Sequence, residues 1–392
     1  MMSHIDVPIW HRPCPVCNHQ SDEMIYHNKL AVIDDFDMSY MVTSCQSCQF
    51  VYANRLPEPS QYDAYYRQLS KYDVISTAST IPEVDQFRAQ SAICFCQAYL
   101  SPDAVIADLG CGSGVLLNAF HQAGWHRLYG LDPAPNAHNK AQELFSLAGV
   151  MTGTLEQAAE KLPLSTIDLV CLMGVLEHLP LLRENLDNLI SQLAHDTMIM
   201  IEVPALERFE CQDFEPYGEF SLEHIHYFSA KTLTKLMLSL GFAALDISYL
   251  SLPHGSTDSL LCLFGRQIEP QSIVYEMENI NNYLNRSKDR LYFAMQRVFK
   301  CGSEQFIVYG AGSHTARLIP ELVAAGYGEK LLFLVDANIN LQGKMMGGLI
   351  IKSPEELALY PKATVIISSF RSQQSIAQVL DVQYSNPLLL LY

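Results

Sequence analysis

The sequence predicts an α/β protein made of two open, doubly wound units and a small cysteine-rich module near the N-terminus. Three observations support this prediction. A strand, a glycine turn and a helix follow one another over residues 104–124, the same succession recurs over residues 305–326, and two Cys-x2-Cys pairs precede residue 50. Ligands of open α/β sheets bind beyond the carboxyl ends of the strands. Both glycine turns are therefore candidate binding sites.

Length and composition indicate a chain of two or three domains with well-filled cores. Of its 392 residues, 49% are apolar and 17% are charged. Acidic residues outnumber basic ones 42 to 25, a formal charge of −17, which disfavours nucleic acid and anionic membranes as partners. No segment has the pattern of a secretory leader or a membrane span. We therefore expect a cytoplasmic protein, and no feature of the sequence specifies an oligomeric state.

The N-terminal cysteines form two knuckles, "CPVC" and "CQSC", with 27 residues between them. Each two-residue spacer lets both thiolates of a knuckle face one point, and two knuckles complete a tetrahedral S4 site suited to structural zinc. Iron takes the same ligands, and four free thiols are the other alternative. Too little apolar surface lies between the knuckles for an independent core, so metal would supply the folding energy. The predicted ligands are Cys14, Cys17, Cys45 and Cys48.

The first glycine turn is "DLGCGSG", with Gly110, Gly112 and Gly114 alternating after the acidic Asp108. A dinucleotide fingerprint would place its third glycine three positions after the second. A carboxylate inside the turn also disfavours a pyrophosphate and favours a cationic, amine-bearing ligand. These features point to S-adenosylmethionine.

Further cofactor-binding candidates follow the next strands. Asp132 ends a second strand, where an acid can accept hydrogen bonds from both ribose hydroxyls. Thr154 and Leu155 follow a third strand, at the place for an adenine, and Met173 ends a fourth. In order and spacing, "DLGCGSG", "GLDPAP" and "IDLVCLMGVLEHL" resemble the motifs of class I S-adenosylmethionine-dependent methyltransferases. The resemblance covers residues 100–245 and implies that the glycine turn holds the methionine part of the cofactor.

The densest ionisable cluster lies in the loop after "IEVP", around Glu223 and His224. Loops beyond strand ends commonly carry chemistry, so these residues are candidates for a base and its orienting partner. The alternative is a loop histidine bonded to a backbone carbonyl. Upstream, we expect Glu177 and His178 on a helix, where a histidine at the helix start is more often structural than catalytic.

A second resemblance concerns this part of the chain. "IEVP", "LEHIHYFS" and "PHGSTDSLLCLFG" resemble elements of the sugar C-methyltransferases, which methylate a nucleotide-linked keto-deoxy-sugar and begin with a four-cysteine zinc module. The resemblance implies that Glu223 and His224 are catalytic and that His254 and Ser256 contact the substrate.

The motif departs from the family at several positions. Ser221 stands where the family has a tyrosine, and the arginine of the last element is missing. Tyr217 or Tyr72 would be the replacement for the phenol.

The C-terminal third begins with a predicted connecting helix over residues 271–299 and continues as a smaller α/β domain. Its glycine turn contains Gly310 and Gly312, followed by His314, and Asp336 ends the next strand. The resemblance implies that this domain helps to bind the nucleotide-sugar, with helix-start amides and His314 near the phosphates. A purely structural lid is the alternative.

The predicted domains are a zinc-binding module over 1–75, a Rossmann-like class I methyltransferase domain over 76–268, and a connecting helix with a smaller Rossmann-like α/β domain over 269–392. The predicted function is S-adenosylmethionine-dependent C-methylation of a nucleotide-diphosphate keto-deoxy-sugar through an enolate. The alternatives are an O- or N-methyltransferase of another sugar or small metabolite, and a zinc-bearing binding protein without activity.

Overall fold

The largest sheet lies in the middle of the chain and has seven strands. The computed structural model of the protein describes residues 9–20, 22–57, 81–210, 213–221, 223–253, 256–266 and 280–392. The strands of this sheet are β6 (Val105–Leu109), β7 (Arg127–Asp132), β8 (Val150–Thr152), β9 (Leu169–Met173), β10 (Met198–Pro204), β12 (Ala243–Leu250) and β13 (Ser259–Gly265). Its helices are α1 (Glu83–Cys96), α2 (Val115–Gln122), α3 (Ala137–Phe145), α4 (Ala158–Lys161), α5 (Leu182–Gln192) and α6 (Ala230–Ser239).

The order of these strands is β12-β13-β10-β9-β6-β7-β8. Strands β8, β7, β6, β9 and β10 run parallel, and β13 is antiparallel to both of its neighbours. All five residues of β6 are buried, as expected for a strand covered on both faces. The chain moves to one side of β6 through β7 and then returns to its other side at β9. A ligand crevice is expected at this switch point, and the glycine turn lies there.

The N-terminal sheet contains one strand from a distant part of the sequence. Its order is β11-β4-β3-β2. Strand β11 belongs to the loop that contains the predicted catalytic pair, and it pairs antiparallel with β4. A separate two-stranded sheet pairs β1, which precedes β2 in the chain, with β5, which follows β4. The bounds are β1 (Ile9–Trp10), β2 (Asp22–Asn28), β3 (Tyr40–Cys45), β4 (Val51–Asn54), β5 (Leu56–Pro57) and β11 (His226–Tyr227).

The C-terminal sheet has six strands in the order β16-β17-β15-β14-β18-β19. All neighbours are parallel except β16 and β17. The elements are α7 (Ile280–Cys301), β14 (Phe306–Tyr309), α8 (Ser313–Ala324), β15 (Leu331–Val335), β16 (Met345–Met346), β17 (Leu349–Lys352), β18 (Thr364–Ile367), α9 (Gln373–Gln383) and β19 (Leu388–Leu390). Both doubly wound units are therefore present, and the predicted α/β fold class is confirmed.

The N-terminal module shares a core with the C-terminal domain. Leu30, Met38 and Tyr40 pack in one apolar cluster with Ile319 and Leu322. The backbone continues this contact, since the Ala31 amide donates to the carbonyl of Ala316 at 2.7 Å. The module therefore obtains from its neighbour the apolar surface that its own sequence lacks.

One local expectation needs correction, and the connecting helix is present where it is described. Glu177 and His178 lie in a single 3-10 turn, Leu176–His178, and not in a helix, because Pro180 interrupts the backbone and α5 begins only at Leu182. The connecting helix begins, within the described residues, at Ile280 and extends to residue 301. Within the described ranges, no helix combines the length and apolarity needed to cross a bilayer.

Candidate functional site

The glycine turn between β6 and α2 requires glycine for two reasons. Gly110, Gly112 and Gly114 all have positive φ angles, of 88°, 53° and 87°, which side chains other than glycine rarely adopt. At Gly110 there is also no room for a side chain, because an added Cβ would lie 2.5 Å from Cγ2 of Val175. The turn therefore presents bare backbone at the carboxyl edge of the central sheet.

Asp108 is a buried acid with unused hydrogen-bonding capacity. Its side chain is 2% exposed, and Oδ1 has no hydrogen-bond partner among the described residues. Burial, followed by the nearby charge of Asp132, raises the pKa of Asp108 to about 7, and the charge of Arg88 opposes the rise. An orphaned carboxylate oxygen of this kind fits a cationic ammonium group.

Asp132 is held by the glycine turn itself. Its Oδ2 accepts the Gly112 amide at 2.7 Å, and its Oδ1 accepts the Ala134 amide at 2.8 Å. Both oxygens keep a lone pair for a further donor. This geometry fits an acid that accepts the two hydroxyls of a ribose.

The remaining cofactor candidates lie beyond the ends of β8 and β9. Thr154 is exposed and begins a short turn in which its backbone and side chain exchange hydrogen bonds with Gln157. Leu155 and Met173 are half-buried. The three residues border the same edge of the sheet as Asp132, where a flat base would contact them.

Arg88 on α1 is a functional candidate that the sequence analysis missed. Its guanidinium forms a two-nitrogen ion pair with Glu202 on β10, which is 2% exposed. It also lies beside Gly174, where an added Cβ would be 3.0 Å from Nη2. The partners are 114 residues apart in the sequence, so no local pattern could have revealed the pair.

Glu177 is the third buried acid at this edge. It is 3% exposed, and Oε2 has no partner among the described residues. Burial raises its pKa to about 8, with a further contribution from the charge of Glu202. Its Oε1 lies 3.9 Å from Nε2 of His178.

The imidazoles of His178 and His224 meet beside Glu177. Their ring centroids are 4.7 Å apart with an interplanar angle of 75°. Nδ1 of His178 lies 3.2 Å from the carbonyl oxygen of Glu223. This contact fixes the ring of His178. Ligand atoms of Glu177, His178 and His224 all lie within 4.8 Å of one another.

A set of hydrogen bonds holds the loop that carries Glu223 and His224. The hydroxyl of Ser221 accepts both of their backbone amides, at 3.3 and 3.1 Å. The hydroxyls of Tyr40 and Tyr227 lie 2.9 Å apart and reach the carbonyls of Ser221 and His224, respectively. The serine that departs from the family pattern thus supports the loop.

Of the two proposed replacements for the family phenol, only Tyr217 is among the described residues. Tyr217 is buried and stacks on Tyr26 with ring centroids 4.3 Å apart. Tyr72 lies outside the described residues.

The four N-terminal cysteines form one cluster. The Sγ atoms of Cys14 and Cys48, and those of Cys17 and Cys45, are 3.5 Å apart, and all four lie within 4.8 Å of one another. Zinc–sulfur bonds of about 2.3 Å give a tetrahedron with edges of about 3.8 Å. The hydrogen bond from Cys14 lowers the pKa of Cys48 to about 5. The set therefore fits a closed, structural metal site.

Both knuckles close in the same way. The Asn18 amide donates to the carbonyl of Cys14, and the Gln49 amide donates to that of Cys45, each at 2.8 Å. Both donor residues have positive φ angles, of 58° and 66°. The backbone thus presents both pairs of thiols to one point.

A comparison with protein-family models gives one match, the description of which is "Methyltransferase domain", over residues 83–247. This range includes β6 to α6, the glycine turn and the two histidines. Residues 83–247 form a methyltransferase domain. The predicted enzyme class is therefore confirmed. A comparison with curated protein sequences finds no match.

Solved structures similar to this chain are also methyltransferases. One is 1,6-didemethyltoxoflavin-N1-methyltransferase of Burkholderia thailandensis, with 20% identity over 57% of this chain and 98% of that chain, at a TM-score of 0.43. Another is magnesium protoporphyrin IX methyltransferase of Synechocystis PCC 6803, with 19% identity over 55% and 100% of the two chains, at a TM-score of 0.40. Such low identities and TM-scores do not extend either activity to this chain.

The N-terminal module fixes one end of the methyltransferase domain's histidine loop. His226 pairs with Tyr52 across β11 and β4. Its buried ring has Nδ1 3.0 Å from the carbonyl of Leu176 and Nε2 2.9 Å from Nη1 of Arg12. Burial, with the charge of Arg12, lowers the pKa of His226 well below its usual value. His226 is therefore a neutral, structural residue two positions after His224.

The predicted substrate residues near β13 are only partly described. His254 lies outside the described residues, and Ser256 donates its amide to the carbonyl of Pro253 at 3.3 Å. The next residue, Thr257, donates to the half-buried carboxylate of Glu219, which the sequence analysis missed. This contact connects the substrate loop with the segment that leads to Ser221.

The second glycine turn repeats the hydrogen bonds of the first. Asp336 accepts the Ala311 amide at 2.7 Å and the Asn338 amide at 2.8 Å. Gly310 has a φ of 95°, and an added Cβ there would lie 3.2 Å from the carbonyl oxygen of Ser368. Gly312 begins α8 in an extended conformation.

His314 differs from its predicted use. Its Nδ1 lies 2.7 Å from the hydroxyl of Ser368, and its Nε2 lies 2.6 Å from the hydroxyl of Tyr392. Burial, with the charge of Arg317, lowers its pKa to about 3. The ring is therefore neutral with both nitrogens occupied, so it would contact a phosphate only after losing one of these hydrogen bonds.

Proposed function

We propose that this chain is an S-adenosylmethionine-dependent C-methyltransferase that acts on a nucleotide-diphosphate keto-deoxy-sugar through an enolate. The observation that carries the proposal is the contact of His178 with His224 directly beside the acid-lined glycine turn. Val175 joins the two features, since it lies against Gly110 and precedes the turn that contains His178.

The acids around the turn would hold the cofactor. Asp108 offers a buried, unpartnered oxygen for the ammonium of the methionine part, and Asp132 offers two oxygens for the ribose. Thr154, Leu155 and Met173 would border the adenine. When bound, S-adenosylmethionine supplies a methyl group on a cationic sulfur, and that transfer needs in-line positioning more than further catalytic groups.

His224 would act as the base. A carbon next to a ketone becomes nucleophilic only when a proton leaves it, so the base takes this proton and the electron pair moves to the carbonyl oxygen. The enolate carbon then bonds to the methyl group, whose bond to sulfur breaks. His178 would donate to the enolate oxygen through Nε2 in its protonated, imidazolium form, because the carbonyl of Glu223 already accepts from its Nδ1–H.

Glu223 supports the loop through its backbone. Its carbonyl contacts His178, and its amide donates to Ser221. The proposed role of Glu223 is therefore to orient both histidines. The zinc site would hold β4, on which β11 and the histidine loop are aligned.

Exchange of the substrate's α-proton distinguishes carbon methylation from methylation of oxygen or nitrogen. A panel of nucleotide-linked 4-keto-6-deoxy-sugars is incubated with the protein in D2O, with and without S-adenosylmethionine. We expect deuterium at the carbon next to the ketone, and a new carbon-bound methyl group in the NMR spectrum of the product.

Two variants make this experiment specific. H224N should lose both exchange and methyl transfer, whereas H121N, on an exposed histidine of α2, should retain both. A product methylated on oxygen or nitrogen, formed without exchange, would favour the alternative function.

A further inference from the structure

A cleft on one face of α7 has a volume of about 480 Å³. Small-molecule sites commonly measure about 300–1,000 Å³. Helix α7 contributes Arg290, Phe293 and Arg297, spaced three and four residues apart and therefore on one face. Arg371 and Tyr392 face them from the carboxyl side of β18 and from the end of the chain.

The charge of this cleft is opposite to that of the whole protein. Three arginines and a single acid, Asp213, line it, whereas the chain has a formal charge of −17. Arg290 is neutralised by Asp213, with Nη1 and Oδ1 2.6 Å apart. Arg371 makes no ion pair or hydrogen bond with the described residues, and Arg297 makes one hydrogen bond, to the carbonyl of Leu390 at 3.2 Å. Two arginines therefore keep donors for an anion.

The cleft also presents an exposed aromatic ring. Phe293 is 64% exposed, whereas phenylalanine side chains are usually buried. Phe370 and Tyr392 form an edge-on pair in the same cleft, with ring centroids 5.1 Å apart. Arginines beside a free aromatic face are suited to a ligand that carries phosphates and a flat base.

One electrostatic interaction and one hydrogen bond connect residues of the cleft with the predicted acceptor region. Arg371 is close enough for its charge to act on Glu219, the half-buried acid that accepts a hydrogen bond from Thr257. The hydroxyl of Tyr392 reaches His314 behind the second glycine turn. Residues that line the cleft therefore interact with one residue of each predicted substrate element.

We propose that this cleft binds the nucleoside diphosphate end of the acceptor, with Arg297 and Arg371 on the phosphates and Phe293 stacked on the base. This assignment rests on the proposed function for the sugar end of the ligand. It moves the nucleotide from the turn at Gly310, where the sequence analysis placed it, to the adjacent face of α7.

Calorimetric titration of the zinc-loaded full chain tests the assignment without requiring methyl transfer. The probes are UDP, dTDP, GDP and inorganic pyrophosphate. We expect at least one nucleoside diphosphate to bind, and R297Q or R371Q to weaken that binding about tenfold or more. F293A should weaken the nucleoside diphosphate about fivefold or more and leave pyrophosphate unchanged. R127Q, on an exposed arginine of β7, is the matched control and should change neither.

The affinity for S-adenosylmethionine, measured on each variant, shows that the protein is folded. Undiminished nucleotide binding in the R297Q/R371Q double variant would overturn the assignment. The assignment would also fail if the arginine variants weakened pyrophosphate and nucleotide equally while F293A changed the affinity for neither. In that case no base would be recognised. Nucleotide binding with the expected losses, but without methylation of any sugar, would keep the cleft and reject the proposed function. If R297Q, R371Q and F293A all left sugar methylation unchanged, the proposed function would stand and the assignment of the cleft would be rejected.

Discussion

His178 lies edge-on to His224, with the two ring centroids 4.7 Å apart and the planes at 75°. One histidine follows the fourth parallel strand and the other follows the fifth, so only the folded sheet brings them together. The carbonyl of Glu223 accepts a hydrogen bond from Nδ1 of His178 and fixes that ring. This pair is the part of the site whose removal should affect chemistry most directly.

Substitution of the two histidines should separate the base from its neighbour. H224N should slow α-proton exchange by about 10²–10⁴-fold, the usual worth of a general base. H178N should slow it by roughly 10²-fold, as expected when a group is misplaced, with KM for the acceptor little changed. Rapid-quench measurement of deuterium uptake would give both rates. Equal KM increases with an unchanged rate constant would show that the histidines only bind the acceptor.

Replacement of Asp108 should weaken cofactor binding in a pH-dependent way. D108N should lower the affinity for S-adenosylmethionine by about 10–100-fold, because a charge-assisted hydrogen bond is lost. In the native protein the pKa of Asp108 is raised to about 7, and binding of a cation requires the charged form. Affinity should therefore rise from pH 6 to pH 8, and D108N should abolish most of that rise. An exposed acid on α5, in D187N, is the control.

The raised pKa of Asp108 also predicts how the stability of the cofactor-free protein changes with pH. The folded state binds more protons than the unfolded state between pH 4 and pH 7, because the carboxyl pKa is higher when folded. The free energy of unfolding should therefore fall as pH rises through this window, and Glu177, with a pKa raised to about 8, extends the fall. Urea titrations at several pH values would measure it. A rise over the same range in the wild type, but not in D108N, would contradict the assignment.

Breaking the ion pair of Arg88 should destabilise the methyltransferase domain. R88M leaves the buried carboxylate of Glu202 without its partner, which should cost about 3–5 kcal/mol. The double variant R88M/E202Q should recover much of this loss, since the uncompensated charge is gone. R183M, which breaks an exposed pair with Asp187 on α5, should cost less than about 1 kcal/mol. Chemical denaturation curves compare the three variants.

Loss of the metal should disturb the histidine loop. Metal analysis should find one zinc per chain, and C45A should lose it, whereas C94A, at an exposed thiol, should retain it. Because β4 pairs with β11, we expect faster amide exchange at Tyr52 and Tyr227 in C45A. Methyl transfer should fall while S-adenosylmethionine still binds, since the glycine turn lies elsewhere. Unchanged exchange in β11 would show that the loop is held without the metal.

Local signals in the sequence were sufficient for the units of the fold and for the position of the first glycine turn. A strand that ends in an acid before alternating glycines specifies a bare turn at a sheet edge, and Asp108 and Asp132 lie there as predicted. The two cysteine knuckles likewise bring their four sulfurs to one point. In each case the geometry depends on residues close together in the chain, whose spacing the backbone converts directly into position.

What only the tertiary structure decided is the set of contacts between residues far apart in the sequence. These are the Arg88–Glu202 pair, the meeting of His178 with His224, and the strand of the N-terminal sheet supplied by His226–Tyr227. The enclosure of His314, and the helix face that Phe293 shares with its neighbouring arginines, belong to the same class. They arise from packing and strand pairing, which depend on where whole elements meet. The spacing of residues along a single helix or strand does not specify which other element it will contact.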